Sequence, residues 1–164
     1  MRTLNSAEGQ RWIAGMMTLG AADPLAGAAV LGLPTLYWER PLVHEAIAGW
    51  GEVAALEARS ATEATEVLAS LGARLQVRWL GASPAQLPGP WFGGMRFAAT
   101  TPSDEAWAAH GFARWILPEL LVWRVGTGLA VVAFTQEGTG GEDVVRSRLE
   151  RVRASFPVDY HHPQ

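Results

Sequence analysis

The chain has 164 residues, of which 49% are hydrophobic and 18% charged, and its formal net charge is -3. That balance excludes a disordered chain and suits one domain with a real core, while offering no general field for nucleic acid or anionic lipid. The longest apolar stretch, Ala21 to Leu33, is broken by Asp23 and Pro24 and falls short of the ~20 residues of a membrane span.

Residues 5–20 carry Trp12, Ile13, Met16 and Met17 at helical spacing behind the possible caps Asn5 and Ser6, and predict a helix. Asp23-Pro24 reads as a cap with proline at the first helical position, opening a short helix that ends near Gly32-Leu33-Pro34. Thr35 to Arg40 is strand-like. Residues 43–58 suit a helix by their Ala, Glu and Leu content, or two short strands meeting near Gly49 and Gly51. Residues 60–72 predict a helix with a Ser60/Glu63 capping box, an apolar face of Ala61, Ala64, Val67, Leu68 and Leu71, and Gly72 past its end. Leu75, Val77 and Trp79 alternate with Arg74, Gln76 and Arg78, as in a half-exposed strand. Residues 81–90 read as a loop and 91–99 as a strand holding Gly93-Gly94, where a bulge or a close backbone crossing is expected. Residues 100–111 are polar loop. Two apolar runs around Gly126-Thr127-Gly128, between Ala113 and Thr135, predict a hairpin, with Pro118 at an edge or strand start. A last helix spans 140–156, with Thr139 and Glu142 as a possible cap and Val145, Leu149, Val152 and Phe156 on one face.

These elements predict one α+β domain: a largely antiparallel sheet with helices packed on it. Its parts are a helical N-terminal segment over 1–33, a strand-rich core over 34–135 and the terminal helix.

The side chains restrict the chemistry. All 13 basic residues are arginine and there is no cysteine. A lysine base, a Schiff base, a thiolate nucleophile and a thiolate metal site are therefore impossible within this chain. His44 and His110 are isolated, and His161-His162 lies in a polar tail rather than at metal-binding spacing. No serine stands in a Gly-x-Ser-x-Gly elbow. Glu142 and Asp143 suit the start of a helix better than a cation, and Arg146, Arg148, Arg151 and Arg153 read as a solvated helix face. No catalytic, cofactor-binding or metal-binding residue is assigned, and the chain alone is expected to be inactive.

Three blocks in order give the chain a resemblance. The first is Leu33-Pro34-Thr35-Leu36-Tyr37-Trp38-Glu39-Arg40, followed by Ala48-Gly49-Trp50-Gly51-Glu52. The second is Gly89-Pro90-Trp91-Phe92-Gly93-Gly94-Met95-Arg96-Phe97, and the third runs from Ala113 through Leu117-Pro118 to Leu121. Together they resemble the N-terminal part of isochorismate synthases, which belong with anthranilate synthase among the chorismate-utilising enzymes. Ala98 departs from the aspartate frequent there. The resemblance implies that Tyr37, Trp38, Gly49, Gly51, Glu52, Gly89, Pro90, Phe92, Gly93, Gly94, Phe97, Leu117 and Pro118 are structural motif positions. It places the catalytic lysine, the acid glutamate and the Mg²⁺-holding glutamates downstream of this region, and so implies a non-catalytic segment without a cofactor of its own. Its partner would be the catalytic C-terminal half, in the same or a separate chain, with self-association possible and neither nucleic acid nor membrane involved. The Tyr-Trp-Glu strand looks closer to the menaquinone branch than to the siderophore one, and for a chain without cysteine the cytoplasm is the default expectation. A self-standing α+β binding or scaffolding module is the alternative, and a small serine or metal hydrolase ranks last.

Overall fold

A computed structural model describes residues 11–20, 23–85, 87–96, 111–125, 127–138 and 140–156. In chain order its elements are β1 (Arg11–Leu19), α1 (Ala28–Leu31), β2 (Leu36–Arg40), a 3₁₀ turn (Pro41–Val43), β3 (Glu45–Trp50), β4 (Ala54–Ala58) and α2 (Ala61–Ser70). They continue with β5 (Gln76–Leu80), β6 (Phe92–Met95), β7 (Ala113–Leu117), β8 (Leu120–Val125), β9 (Gly128–Gln136) and α3 (Gly141–Ser155). The expected α+β class holds. A six-stranded sheet runs β2-β3-β8-β9-β1-β5, and a three-stranded sheet runs β4-β7-β6. β1 and β5 pair in parallel, and the other pairs of described strands are antiparallel.

Alternation along the strands sorts the core. Ile13, Val122, Leu129, Val131 and Ala133 face α3, meeting Val145, Val152 and Phe156. Trp12, Leu121, Trp123, Val132 and Phe134 face the other way, toward Ala54 and Leu117 of the small sheet. Farther along, Leu56, Ala58, Ala113 and Trp115 pack with Ala64, Val67 and Leu71 of the α2 region. Local chemistry explains the helix ends. The Ser60 hydroxyl accepts the Glu63 amide at 3.2 Å, and the Glu63 carboxylate accepts the Arg59 amide at 2.6 Å. The Asp23 carboxylate accepts the Leu25 amide at 2.7 Å in a turn, but α1 itself begins later behind the N-cap Gly27, so the expected helix start at Asp23-Pro24 is corrected.

Three further expectations are corrected. The helix expected over 5–20, and with it much of the helical N-terminal segment, is the strand β1 over its described part. Trp12, Ile13 and Ala14 are buried in succession because β1 lies between β9 and β5 and is covered on both faces. A strand buried on both faces shows no alternation, so its apolar run also fits a helix. Gly15 lies directly beneath α3, and a Cβ there would come within 2.8 Å of Val145 Cγ1. The apolar run from Ala113 to Val125 is two strands in two sheets, split at Pro118-Glu119. On α2, Ala61 and Leu68 of the supposed inner face are exposed, whereas the helix end fits, with Leu71 as its cap and Gly72 next beyond it.

Other expectations fit. Residues 45–58 form the two-strand alternative, and the β8–β9 hairpin closes with Val125 opposite Gly128. Helix α3 follows the N-cap Gly140, whose φ of +92° favours glycine. Asn5, Ser6, Thr139, His110, His161, His162 and the loop 100–110 lie outside the described residues. No helix among the described residues is long and apolar enough to cross a membrane.

Gly93 shows the close crossing expected of the glycine pair. A Cβ on it would fall 1.9 Å from the Arg114 carbonyl oxygen, whereas nothing lies within 4 Å of one on Gly94. Gly93→Ala is therefore expected to lose about 2–3 kcal/mol by forcing β6 off β7, and Gly94→Ala to stay within about 0.5 kcal/mol of wild type. Urea unfolding of both variants checks the contrast.

Candidate functional site

The three sequence blocks meet at the corner between the two sheets. β3 pairs with β8 in the large sheet, and their continuations β4 and β7 pair in the small one. The two segments thus form one ribbon that changes sheets midway. Three residues separate Trp50 from Ala54, whereas two separate Leu117 from Leu120. The extra residue makes a bulge, the usual device for bending a ribbon from one sheet to another.

Backbone bonds pin the bend. The Glu119 amide donates to the Trp50 carbonyl at 3.0 Å, and the Val53 amide to the Leu117 carbonyl at 2.9 Å. Thr35 braces the bend from outside: its amide donates to the Gly49 carbonyl at 2.8 Å, and its hydroxyl accepts the Gly51 amide at 3.0 Å. The Trp50 indole donates to the Gly32 carbonyl at 2.8 Å. Gly51 has φ +67°, and a Cβ there would lie 2.7 Å from Glu119 Cγ. Gly49 leaves room for Leu36 and for Pro118, whose Cβ would be 3.2 Å from a Cβ at that position.

On the face of the small sheet away from Leu56 and Trp115, one guanidinium joins two carboxylates. Arg114 Nη2 lies 2.7 Å from Glu52 Oε2, and Arg114 Nε lies 3.4 Å from Glu57 Oε1. The Arg114 side chain is 20% exposed, so the pairs are only partly screened by water. Glu57 and Arg114 are directly opposed across β4 and β7, and Gly94 stands across from Arg114 on β6. Behind the bend, Arg148 Nη2 lies 3.2 Å from Glu119 and Nη1 donates to the Phe134 carbonyl. Burial pushes the Arg148 guanidinium below its ordinary value, and Glu119 opposes that. The group nevertheless stays charged. Arg148 is thus anchored, which corrects the reading of it as part of a solvated face.

The structure gathers Gly49, Gly51, Glu52, Phe92, Gly93, Gly94, Leu117 and Pro118 around this corner. Tyr37 and Trp38 lie instead on the exposed edge strand β2, and Gly89 and Pro90 in the loop before β6. Phe97 lies outside the described residues. The pairing of Arg114 with Glu57 escaped the sequence reading, although a lone charge inside the apolar run Ala113 to Leu117 signals a required counter-charge.

Chemically this is a brace. Glu52 and Glu57 both engage Arg114, so a divalent cation at that place would have to displace a guanidinium. No group of three His, Cys, Asp or Glu side chains among the described residues is arranged to hold a metal ion. The residues present here therefore do not fit the Mg²⁺ of the resemblance. Ser60, Ser70 and Ser155 are engaged in local helix hydrogen bonds. His44 is exposed in a left-handed turn at φ +53°. Glu142 pairs with Arg78 at 2.9 Å and with Arg146 at 3.6 Å.

No model of a known protein family matches the chain, and no curated protein matches it.

Arg114→Met leaves two half-buried carboxylates without their cation and is expected to cost about 1–2 kcal/mol. Glu57→Gln costs less, because the shorter Glu52 contact remains; urea unfolding separates the two. A second expectation concerns pH. The hydrogen bond from Arg78 outweighs the opposing effect of burial and holds the Glu142 carboxyl below its ordinary 4.5. A depressed carboxyl stabilises the fold above its unfolded value and loses that effect as pH falls through its folded value. The stability gap between wild type and Arg78→Gln is thus present at neutral pH and narrows below 4.5, as read from unfolding curves across that range.

Proposed function

We propose that this chain acts as the N-terminal, non-catalytic segment of an isochorismate synthase of the menaquinone type, working in the cytoplasm. In that role it supplies part of the sheet-and-helix sandwich around a chorismate site whose catalytic groups belong to the C-terminal half of such an enzyme, in the same or a separate chain. One observation carries the reading: blocks far apart in sequence meet at a single bend, with Gly49 to Glu52 against Leu117 to Glu119 and Gly93 against Arg114. Motif residues that serve a fold rather than a reaction are expected to converge in this way, on backbone turns and braces.

The chemistry points the same way. Exchange of a hydroxyl on chorismate needs a base, an acid and a metal ion converging on one place. This chain encodes no lysine to activate water, and its Glu52 and Glu57 are tied to Arg114. Among the described residues both sheets also end in strands that a partner polypeptide can extend, with β2 and β5 outermost in the large sheet and β4 and β6 in the small one. A self-standing binding module is the second reading, favoured by the large exposed side chains Leu33, Trp38 and Leu42.

The test mixes the purified chain with the polypeptide encoded downstream and measures isochorismate formed from chorismate with Mg²⁺. Activity is expected in the mixture and in neither part alone. Turnover by this chain alone, or a mixture that never forms product or complex, overturns the proposal. Saturable binding of an unrelated ligand by the isolated chain favours the binding module.

A further inference from the structure

The outermost strand β2 carries no neighbour on its outer side among the described residues. Its backbone groups on that side thus have no strand partner among the described residues and suit pairing with another strand. Its side chains are exposed on both faces, with Tyr37 at 40% and Trp38 at 44%. Just beyond its two ends stand the two most exposed large hydrophobic residues described, Leu33 at 89% and Leu42 at 97%.

We propose that β2 is a self-association edge, pairing antiparallel with β2 of a second copy about a two-fold axis at Trp38. The register follows from charge and hydrogen-bonding capacity. Under such an axis one residue stands opposite itself, which leaves five choices. An axis at Glu39 sets carboxylate against carboxylate, and one at Arg40 sets guanidinium against guanidinium; directly opposed like charges destabilise a pair of strands. An axis at Leu36 or Tyr37 runs the pairing into Pro34, which has no amide proton to donate. The axis at Trp38 alone pairs all five strand residues. Tyr37 then faces Glu39 of the other copy, and Leu36 faces Arg40. The Tyr37 hydroxyl already donates to Glu39 within one chain at 2.9 Å, and Arg40 already sits 5.2 Å from the Trp38 ring centre. The same partners are therefore compatible across the axis.

The contact is small, so the dimer is a weak and reversible one, as expected for interfaces below about 1,200 Å². It does not depend on the isochorismate reading, because it uses neither chorismate nor a downstream polypeptide. The absence of cysteine makes a clean test possible, since each introduced thiol is the only one in the molecule. Trp38→Cys, Leu36→Cys and Arg40→Cys are made singly and oxidised mildly, and sedimentation of the unmodified chain is followed in parallel. Opposed strand positions lie within reach of a disulfide, so Trp38→Cys is expected to link to itself about ten-fold faster than either other variant alone. A mixture of Leu36→Cys with Arg40→Cys is expected to link at a rate near that of Trp38→Cys, and this arm does not require substitution of the tryptophan. The unmodified chain is expected to show a dimer at about 100 µM. Equal linking rates for all variants, or a chain that sediments as a monomer up to about 500 µM, overturn the proposal; the second result leaves the edge to a strand of another polypeptide.

Discussion

One bent ribbon organises this protein. The segment from β3 to β4 and the segment from β7 to β8 travel together from one sheet to the other, held by the Glu119–Trp50 and Val53–Leu117 backbone bonds. Everything else takes its position from that bend. β2 and β9 extend the large sheet from the β3–β8 pair, β6 extends the small sheet from β7, and α2 follows β4 directly. A bend of this kind needs an extra residue on one strand and a backbone free to turn. Gly51 answers the second need, because a side chain there would meet both an unfavourable φ and the Glu119 side chain.

The charged groups near the bend are best understood as its supports. Arg114 faces Glu57 across the small sheet and reaches Glu52, which leads into β4. Arg148 ties α3 to Glu119 and to the Phe134 carbonyl. Partly buried ions need partners, and these partners come from both sides of the ribbon. The same commitments leave Glu52, Glu57 and Glu119 poorly suited to acid-base or metal chemistry. Support of the bend thus occupies these three carboxylates, in line with the proposal that the active chemistry belongs to a C-terminal half in the same or a separate chain.

The edges of the sheets bear on how such a segment behaves. β2 has exposed aromatic side chains and apolar residues at both ends, yet Glu39 and Arg40 each disfavour the register that sets them against themselves, and Pro34 disfavours two more. Charge on an edge strand therefore acts here as a selector of register as much as a deterrent. At the opposite edge, Arg78 of β5 is occupied by Glu137 and Glu142, which ties that strand to the end of β9 and the start of α3.

Some of this architecture follows from the sequence alone, because the causes are local. The Ser60/Glu63 cap, the alternation from Leu75 to Trp79, the β8–β9 hairpin around Gly126-Thr127-Gly128 and the apolar face of α3 each depend on neighbours within a few residues. The absence of lysine and cysteine is equally a property of the sequence, and it limits the chemistry before any fold is known. Other features were decided only by tertiary contact. Trp12 to Ala14 became strand because β5 and β9 flank them, although their spacing suits a helix. The run from Ala113 to Val125 split at Pro118 because its partners, β3 and β4, lie in different sheets. The Arg114, Glu52 and Glu57 brace joins residues more than fifty positions apart, and no local pattern encodes which distant carboxylate an arginine will meet. Periodicity records how a segment can be buried, whereas only the assembled core determines which neighbour does the burying.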